Sequence, residues 1–197
     1  FVARKELVAP AFRHIGHFQN GQAVASLGAD RVGVINMQGQ WVLPASHYGI
    51  ARVNDKLWRV MQAGGQGEDY ERPAALFNDQ GRPLTSFQRL LQVSDEERGF
   101  VTASGEKNRW IVAADGSGVQ DLQDATYSRI GDWLEIRRAA RYGYLDAQGA
   151  WQIGPMAAVG SVFQGTPARA LSTDDAGARL IDTCLLYTSD AADDLLC

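Results

Sequence analysis

The hydrophobic positions of this chain alternate over short runs and never hold a helical period. Gln22-Ala-Val-Ala-Ser26, Leu57-Trp-Arg-Val-Met61, Gly99-Phe-Val-Thr-Ala103, Trp133-Leu-Glu-Ile-Arg137 and Ala168-Arg-Ala-Leu171 each read as a strand of about five residues. After each comes a second apolar run that ends in a turn: Val34-Ile-Asn-Met-Gln-Gly39, Leu76-Phe-Asn-Asp-Gln-Gly81, Ile111-Val-Ala-Ala-Asp-Gly116 and Tyr144-Leu-Asp-Ala-Gln-Gly149. The four glycines are 42, 35 and 33 residues apart, a period that marks a repeat architecture. The loop Gly64–Pro73 accounts for the longest interval. Ser86–Ser94 is the best short helical candidate.

The turn motif has a physical basis. An Asn or Asp side chain caps nearby backbone N–H groups at the start of a type I turn, and a glycine three residues later takes the left-handed conformation that closes the hairpin. The predicted turn residues are Asn36 and Gly39, Asn78 and Gly81, Asp115 and Gly116, and Asp146 and Gly149. Strand resumes after the glycine. Trp41 and Leu43, like Trp151 and Ile153, alternate with their neighbours and face one side. Pro44, Pro83 and Pro155 then suit strand ends, where a missing N–H costs least. Each unit therefore reads as an aromatic, a turn, two strands, an Asn/Asp-x-x-Gly turn and a further strand. The fold expected is all-β, with tandem antiparallel hairpin units set in a twisted open array or a propeller-like arc.

This pattern resembles the bacterial WG-repeat family. The resemblance rests on Phe18, Gly21, Ala23, Gly33, Ile35, Gly39, Trp41 and Pro44 within Phe12–Pro44, and on Tyr142, Gly143, Tyr144, Asp146, Gly149 and Trp151 within Ile130–Ile153. Val32-Gly33 and Tyr142-Gly143 stand where the family has Trp-Gly. The resemblance implies an all-β repeat module without known catalytic residues, of a kind often found at the cell envelope.

The C-terminal end departs from the pattern. A fifth copy of the motif starts at Leu180-Ile-Asp182 and calls for glycine at 185, but Cys184–Cys197 follows instead. Cys184–Asp194 resembles one reading frame of a transposase adapter used in library preparation. Residues 184–197 are therefore expected to be a non-native tail, and 1–183 a single domain of about four and a half units cut at both ends. Both cysteines fall in that tail, so neither a disulfide nor a thiol nucleophile is expected of the native part.

Composition narrows the function. The 197 residues are 45% hydrophobic and 21% charged, which suffices for a core and excludes a highly charged disordered chain. A formal charge of −4 argues against a general nucleic-acid binder. No apolar run reaches the roughly 18 residues of a membrane span.

Candidate chemistry is sparse. His14-x-x-His17 and His47 lack cysteine or acidic partners at metal-ligand spacing, so no metal is expected. No Gly-x-Ser-x-Gly elbow and no phosphate-binding glycine loop occurs, and no cofactor is expected. Asp95-Glu96-Glu97 and Asp174-Asp175 are adjacent acids of the kind that face solvent. Arg137 and Arg138 are consecutive, so in a strand they point to opposite faces and make no phosphate-tracking stripe.

The five tryptophans remain. Trp41 and Trp151 share one motif position, which favours packing between repeats. Trp58, Trp110 and Trp133 are the candidate ligand-binding residues, able to stack on sugar rings or anchor a partner. The function expected is a non-catalytic module that binds a protein or a cell-surface polysaccharide outside the cytoplasm. The alternatives are a carbohydrate-active enzyme using Asp or Glu carboxylates, and a passive spacer beside a functional domain.

Overall fold

The structure, a computed structural model, describes residues 12–64, 71–94, 99–130, 133–139, 141–145, 151–160, 169–174 and 177–182. Asp146, Gly149 and the 184–197 tail lie outside them. The chain forms two compact units, Phe1–Asp121 and Leu122–Cys197.

Sixteen strands are present among the described residues: β1 His14–Ile15, β2 Gln22–Ser26, β3 Val32–Asn36, β4 Trp41–Asn54, β5 Leu57–Gln62, β6 Ala74–Asn78, β7 Gln92–Val93, β8 Phe100–Ser104, β9 Arg109–Ala113, β10 Val119–Gln123, β11 Thr126–Ile130, β12 Trp133–Arg138, β13 Arg141–Leu145, β14 Trp151–Gly160, β15 Arg169–Asp174 and β16 Gly177–Asp182. The strand orders are β1-β2-β3-β4-β5-β6, β10-β9-β8-β7 and β11-β12-β13-β14-β15-β16, so within each of the three sheets the strands pair in sequence order. The fold is all-β and its sheets are open.

β4 explains how six strands come to share one sheet. Its first part pairs with β3 (Ile35↔Trp41, Val34↔Leu43, Val32↔His47). Its second part pairs with β5, from His47↔Gln62 to Asn54↔Leu57. Register shifts on both sides of His47 bend the strand, so it closes one repeat and opens the next. Repeat 1 is β1, β2, β3 and the start of β4. Repeat 2 is the rest of β4, β5, β6 and the segment bridged through Phe77↔Pro83 and Ala74↔Gln88. Repeat 3 is β7–β10. In the second unit β11, β12, β13 and the start of β14 repeat the pattern, with Leu145↔Trp151 matching Ile35↔Trp41.

Three expectations change. Each repeat has a first strand that the alternation did not reveal; in repeat 2 it is the far half of β4, the strand that closes repeat 1. Pro44 and Pro155 lie inside strands, not at their ends. Pro44 falls in the stretch between Leu43 and His47 where the β3 pairing shifts register, so its missing N–H breaks no regular ladder. Ser86–Ser94 is no helix: Gln88 bridges Ala74 and Gln92-Val93 is strand.

The core follows from the alternation. Trp58, Val60, Ala75 and Phe77 of repeat 2 pack on Val34 and Leu43 of repeat 1. Val101, Ala103, Trp110 and Val112 of repeat 3 pack on Leu57, Ala74, Leu76 and Leu84 of repeat 2. In repeats 2 and 3, one face thus meets the opposite face of the repeat before it. The corresponding face of repeat 1 carries Ala23, Ala25 and Ile35, with Phe12 against them.

Candidate functional site

The turns come first, because they fix the register of everything else. Asn36 Oδ1 accepts the Gln38 and Gln40 N–H groups, both at 3.0 Å, and Gly39 N–H donates to Asn36 O at 2.9 Å. Asn78 repeats this with Gln80 (3.1 Å), Arg82 (2.8 Å) and Gly81 (3.0 Å). In repeat 3, Ala113 holds the asparagine position through its backbone alone, and Gly116 N–H donates to Ala113 O at 2.8 Å. Asp115 sits within that turn and accepts the Ser117 N–H at 2.8 Å; the Ser117 hydroxyl first, and that N–H after it, hold its carboxyl below the usual range. Gly39, Gly81 and Gly116 all have φ between 73° and 81°. Gly81 also needs its missing side chain for space, since a Cβ there would come 2.4 Å from Val42 O in the preceding repeat.

The turn edges are stapled across repeats. Gln22 of repeat 1 donates to Asp79 O (2.6 Å) and accepts the Trp58 Nε1–H (3.2 Å). The Arg52 guanidinium lies 4.0 Å from the Trp58 ring centre and donates to Gln19 O at 3.1 Å. Asn54 of repeat 2 donates to Ala114 O at 3.0 Å.

Each of the first three repeats supplies one indole to the same face, from a different strand. Repeat 2 places Trp58 on its second strand opposite Phe77. Repeat 3 places Trp110 on its third strand opposite Ala103, the register position that Gly33 holds opposite Ala25. Repeat 1 places Trp41 on its fourth strand opposite Ile35. The glycine and the indole are complementary: a Cβ on Gly33 would fall 2.5 Å from the Trp41 Cζ3 and from Leu43 O. The ring lies on bare backbone.

Exposure separates these three. Trp58 is 2% and Trp110 3% exposed, so both are packing residues and neither offers a ring for stacking. That corrects the expectation for these two, because the face on which they stand is sealed by the preceding repeat. Trp133 opens β12 opposite Ile130, and its side chain lies outside the described residues. Trp41, read from sequence as packing, is 37% exposed. Phe12 flanks it at 5.3 Å and a tilt of 54°. Ile15 and Phe18, 37% and 39% exposed, belong to the same repeat. The aromatic corner of Phe12 and Trp41 is the candidate binding site. The pairing of Gly33 with an aromatic eight residues on was the sequence signal for it.

No group of three His, Cys, Asp or Glu residues able to hold a metal ion occurs among the described residues. No helix among them is long and apolar enough to cross a membrane.

No protein-family model and no curated protein matches the chain. Solved structures similar to it include AztD of Citrobacter koseri, at 13% identity over 86% of this chain and 55% of that one, with a TM-score of 0.31. The extracellular domain of the putative hybrid two-component system BT4673 of B. thetaiotaomicron is similar at 10% identity over 91% of this chain and 28% of that one, with a TM-score of 0.28. The chain therefore spans about half the length of the first and under a third of the second.

Proposed function

We propose that this chain is a non-catalytic β-repeat module of the WG-repeat kind that holds a cell-surface polymer or a protein at the Phe12–Trp41 corner of repeat 1. The observation that carries this reading is the exposure of Trp41, backed by Gly33, on the face where Trp58 and Trp110 are sealed. A flat indole fixed against backbone is pre-ordered for stacking on a sugar ring, so little side-chain entropy is lost on binding. The acidic net charge weighs against a polyanionic nucleic acid as partner.

The test is tryptophan emission and calorimetry of the whole chain against soluble peptidoglycan fragments and a neutral polysaccharide. Saturable binding lost in Trp41→Ala, with strand content unchanged, is the expected result. Binding that persists in Trp41→Ala would move the site elsewhere. Absence of binding to either polymer would leave the protein arm, and protein binding indifferent to Trp41 would end the proposal.

A further inference from the structure

The middle residue of each repeat's second strand stands beside a small residue of the first strand. Gly16 N–H donates to Val24 O at 2.8 Å and Ser94 N–H to Thr102 O at 2.9 Å. Ala51 is the register partner of Arg59, and Ser128 that of Glu135. The first strand thus stays low wherever this residue stands, while the residue itself changes from Val24 to Arg59, Thr102 and Glu135.

In repeat 2 the geometry around Arg59 is one-sided. Its partner on β6, Leu76, is fully buried, with Leu57 and Leu76 both in the core. Its partner on β4, Ala51, is small and exposed. Residues 49–54 of β4 pair with β5 alone, so this is a sheet edge. The half-buried Arg59 thus stands between the buried Leu76 and the exposed Ala51, with Ala51 on the open edge.

Its lack of partners is unusual for such a residue. Five arginines among the described residues are half-buried: Arg52, Arg59, Arg72, Arg129 and Arg138. Arg52 donates to Gln19 O and Gln22 O, Arg72 stacks 3.6 Å from the Tyr48 ring centre, Arg138 pairs with Asp124 at 2.8 Å, and Arg129 also has a partner. Arg59 makes no hydrogen bond and no ion pair among the described residues. A partly dehydrated cation without a counter-charge weakens the fold, and its planar fork matches an oxyanion through two parallel hydrogen bonds.

We propose that Arg59 is a recognition residue for an oxyanion, and that the first-strand edge of repeat 2 takes a carboxylate or phosphate group of a ligand on the Arg59 guanidinium, over Ala51. The site is separate from the Phe12–Trp41 corner and does not depend on it.

Inorganic phosphate and acetate are the probes, titrated into the whole chain at constant ionic strength against chloride, up to a few tens of millimolar. The readouts are the Arg59 Nε–Hε resonance, assigned by its loss in Arg59→Met, and the thermal midpoint. The expected result is a saturable shift of that resonance and a midpoint raised by phosphate or acetate in the wild type. The gain disappears in Arg59→Met and persists in Arg82→Met, an exposed control, and in Trp41→Ala. Should Arg59→Met fail to fold, Arg59→Lys keeps the charge without the fork and should cut the response several-fold. Which anion saturates first separates phosphate from carboxylate ligands. A midpoint gain equal in wild type, Arg59→Met and Arg59→Lys, or an Arg59 resonance indifferent to both anions, would overturn the proposal.

Discussion

Repeats 1 and 2 present the same face and build it differently. Repeat 2 fills it from its second strand with Trp58 and Val60, and repeat 1 closes over it, leaving Trp58 2% exposed. Repeat 1 has Ala23 and Ala25 at those register positions and brings its indole from the fourth strand, across Gly33. Trp41 keeps 37% of its surface in solvent. The same residue type thus serves as core or as surface according to the strand that carries it and the repeat that stands beside it.

The largest effect that would break this comparison is loss of the buried indole. Trp58→Ala should cost about 3–5 kcal/mol in urea unfolding, because it leaves a cavity and takes the indole donor from Gln22 Oε1. Trp41→Ala should cost about 1–2 kcal/mol, since over a third of its area is already wet. Equal costs would mean that the two faces are not different.

Next is the glycine beneath the ring. Gly33→Ala should destabilise by about 1–3 kcal/mol, as the new Cβ meets both Leu43 O and the indole. Combining it with Trp41→Ala should recover part of that loss, because one of the two clashes goes. Additive losses would show that the ring and the glycine do not share that space.

The turns sharpen the comparison further. Asn78 is buried and Asn36 half-buried, though both accept the same two backbone donors. Asn78→Ala should therefore cost about 1–3 kcal/mol and Asn36→Ala about 1 kcal/mol or less in thermal or urea unfolding. The reverse order would contradict the burial of the second turn.

The smallest expected effect lies in the second unit. Tyr144 holds there the register position that Leu76 holds in repeat 2, opposite Glu135 as Leu76 is opposite Arg59. Its phenol donates to Glu135 Oε2 at 3.2 Å, and burial followed by the Glu135 charge raises its pKa above the ordinary 10.0. A raised folded-state value leaves this contribution intact below about pH 10, the unfolded value, and removes it as pH rises beyond. Alkaline unfolding above pH 10 should shift to higher pH in Tyr144→Phe. An unchanged alkaline limb would rule out Tyr144 as its source.

Much of this fold is legible in the sequence. Two-residue alternation with Asn-x-x-Gly punctuation marks strands and turns, because both depend on local backbone chemistry. The double role of β4 is not legible, since a bend between His47 and its neighbours depends on the packing of two repeats and not on local pattern. The site is legible only in part. Trp58 and Trp41 sit in equally strand-like surroundings in sequence, and their burial differs because of the neighbouring repeat. Arg59 carries no motif at all; its isolation comes from its register beside Ala51 and Leu76.

The most direct test of the central contrast is fluorine NMR of the intact chain labelled with 5-fluorotryptophan, with resonances assigned by Trp41→Phe, Trp58→Phe and Trp110→Phe. A large solvent-isotope shift between H2O and D2O is expected for the Trp41 resonance and almost none for Trp58 and Trp110. A Trp58 or Trp110 resonance as responsive as that of Trp41 would contradict that contrast.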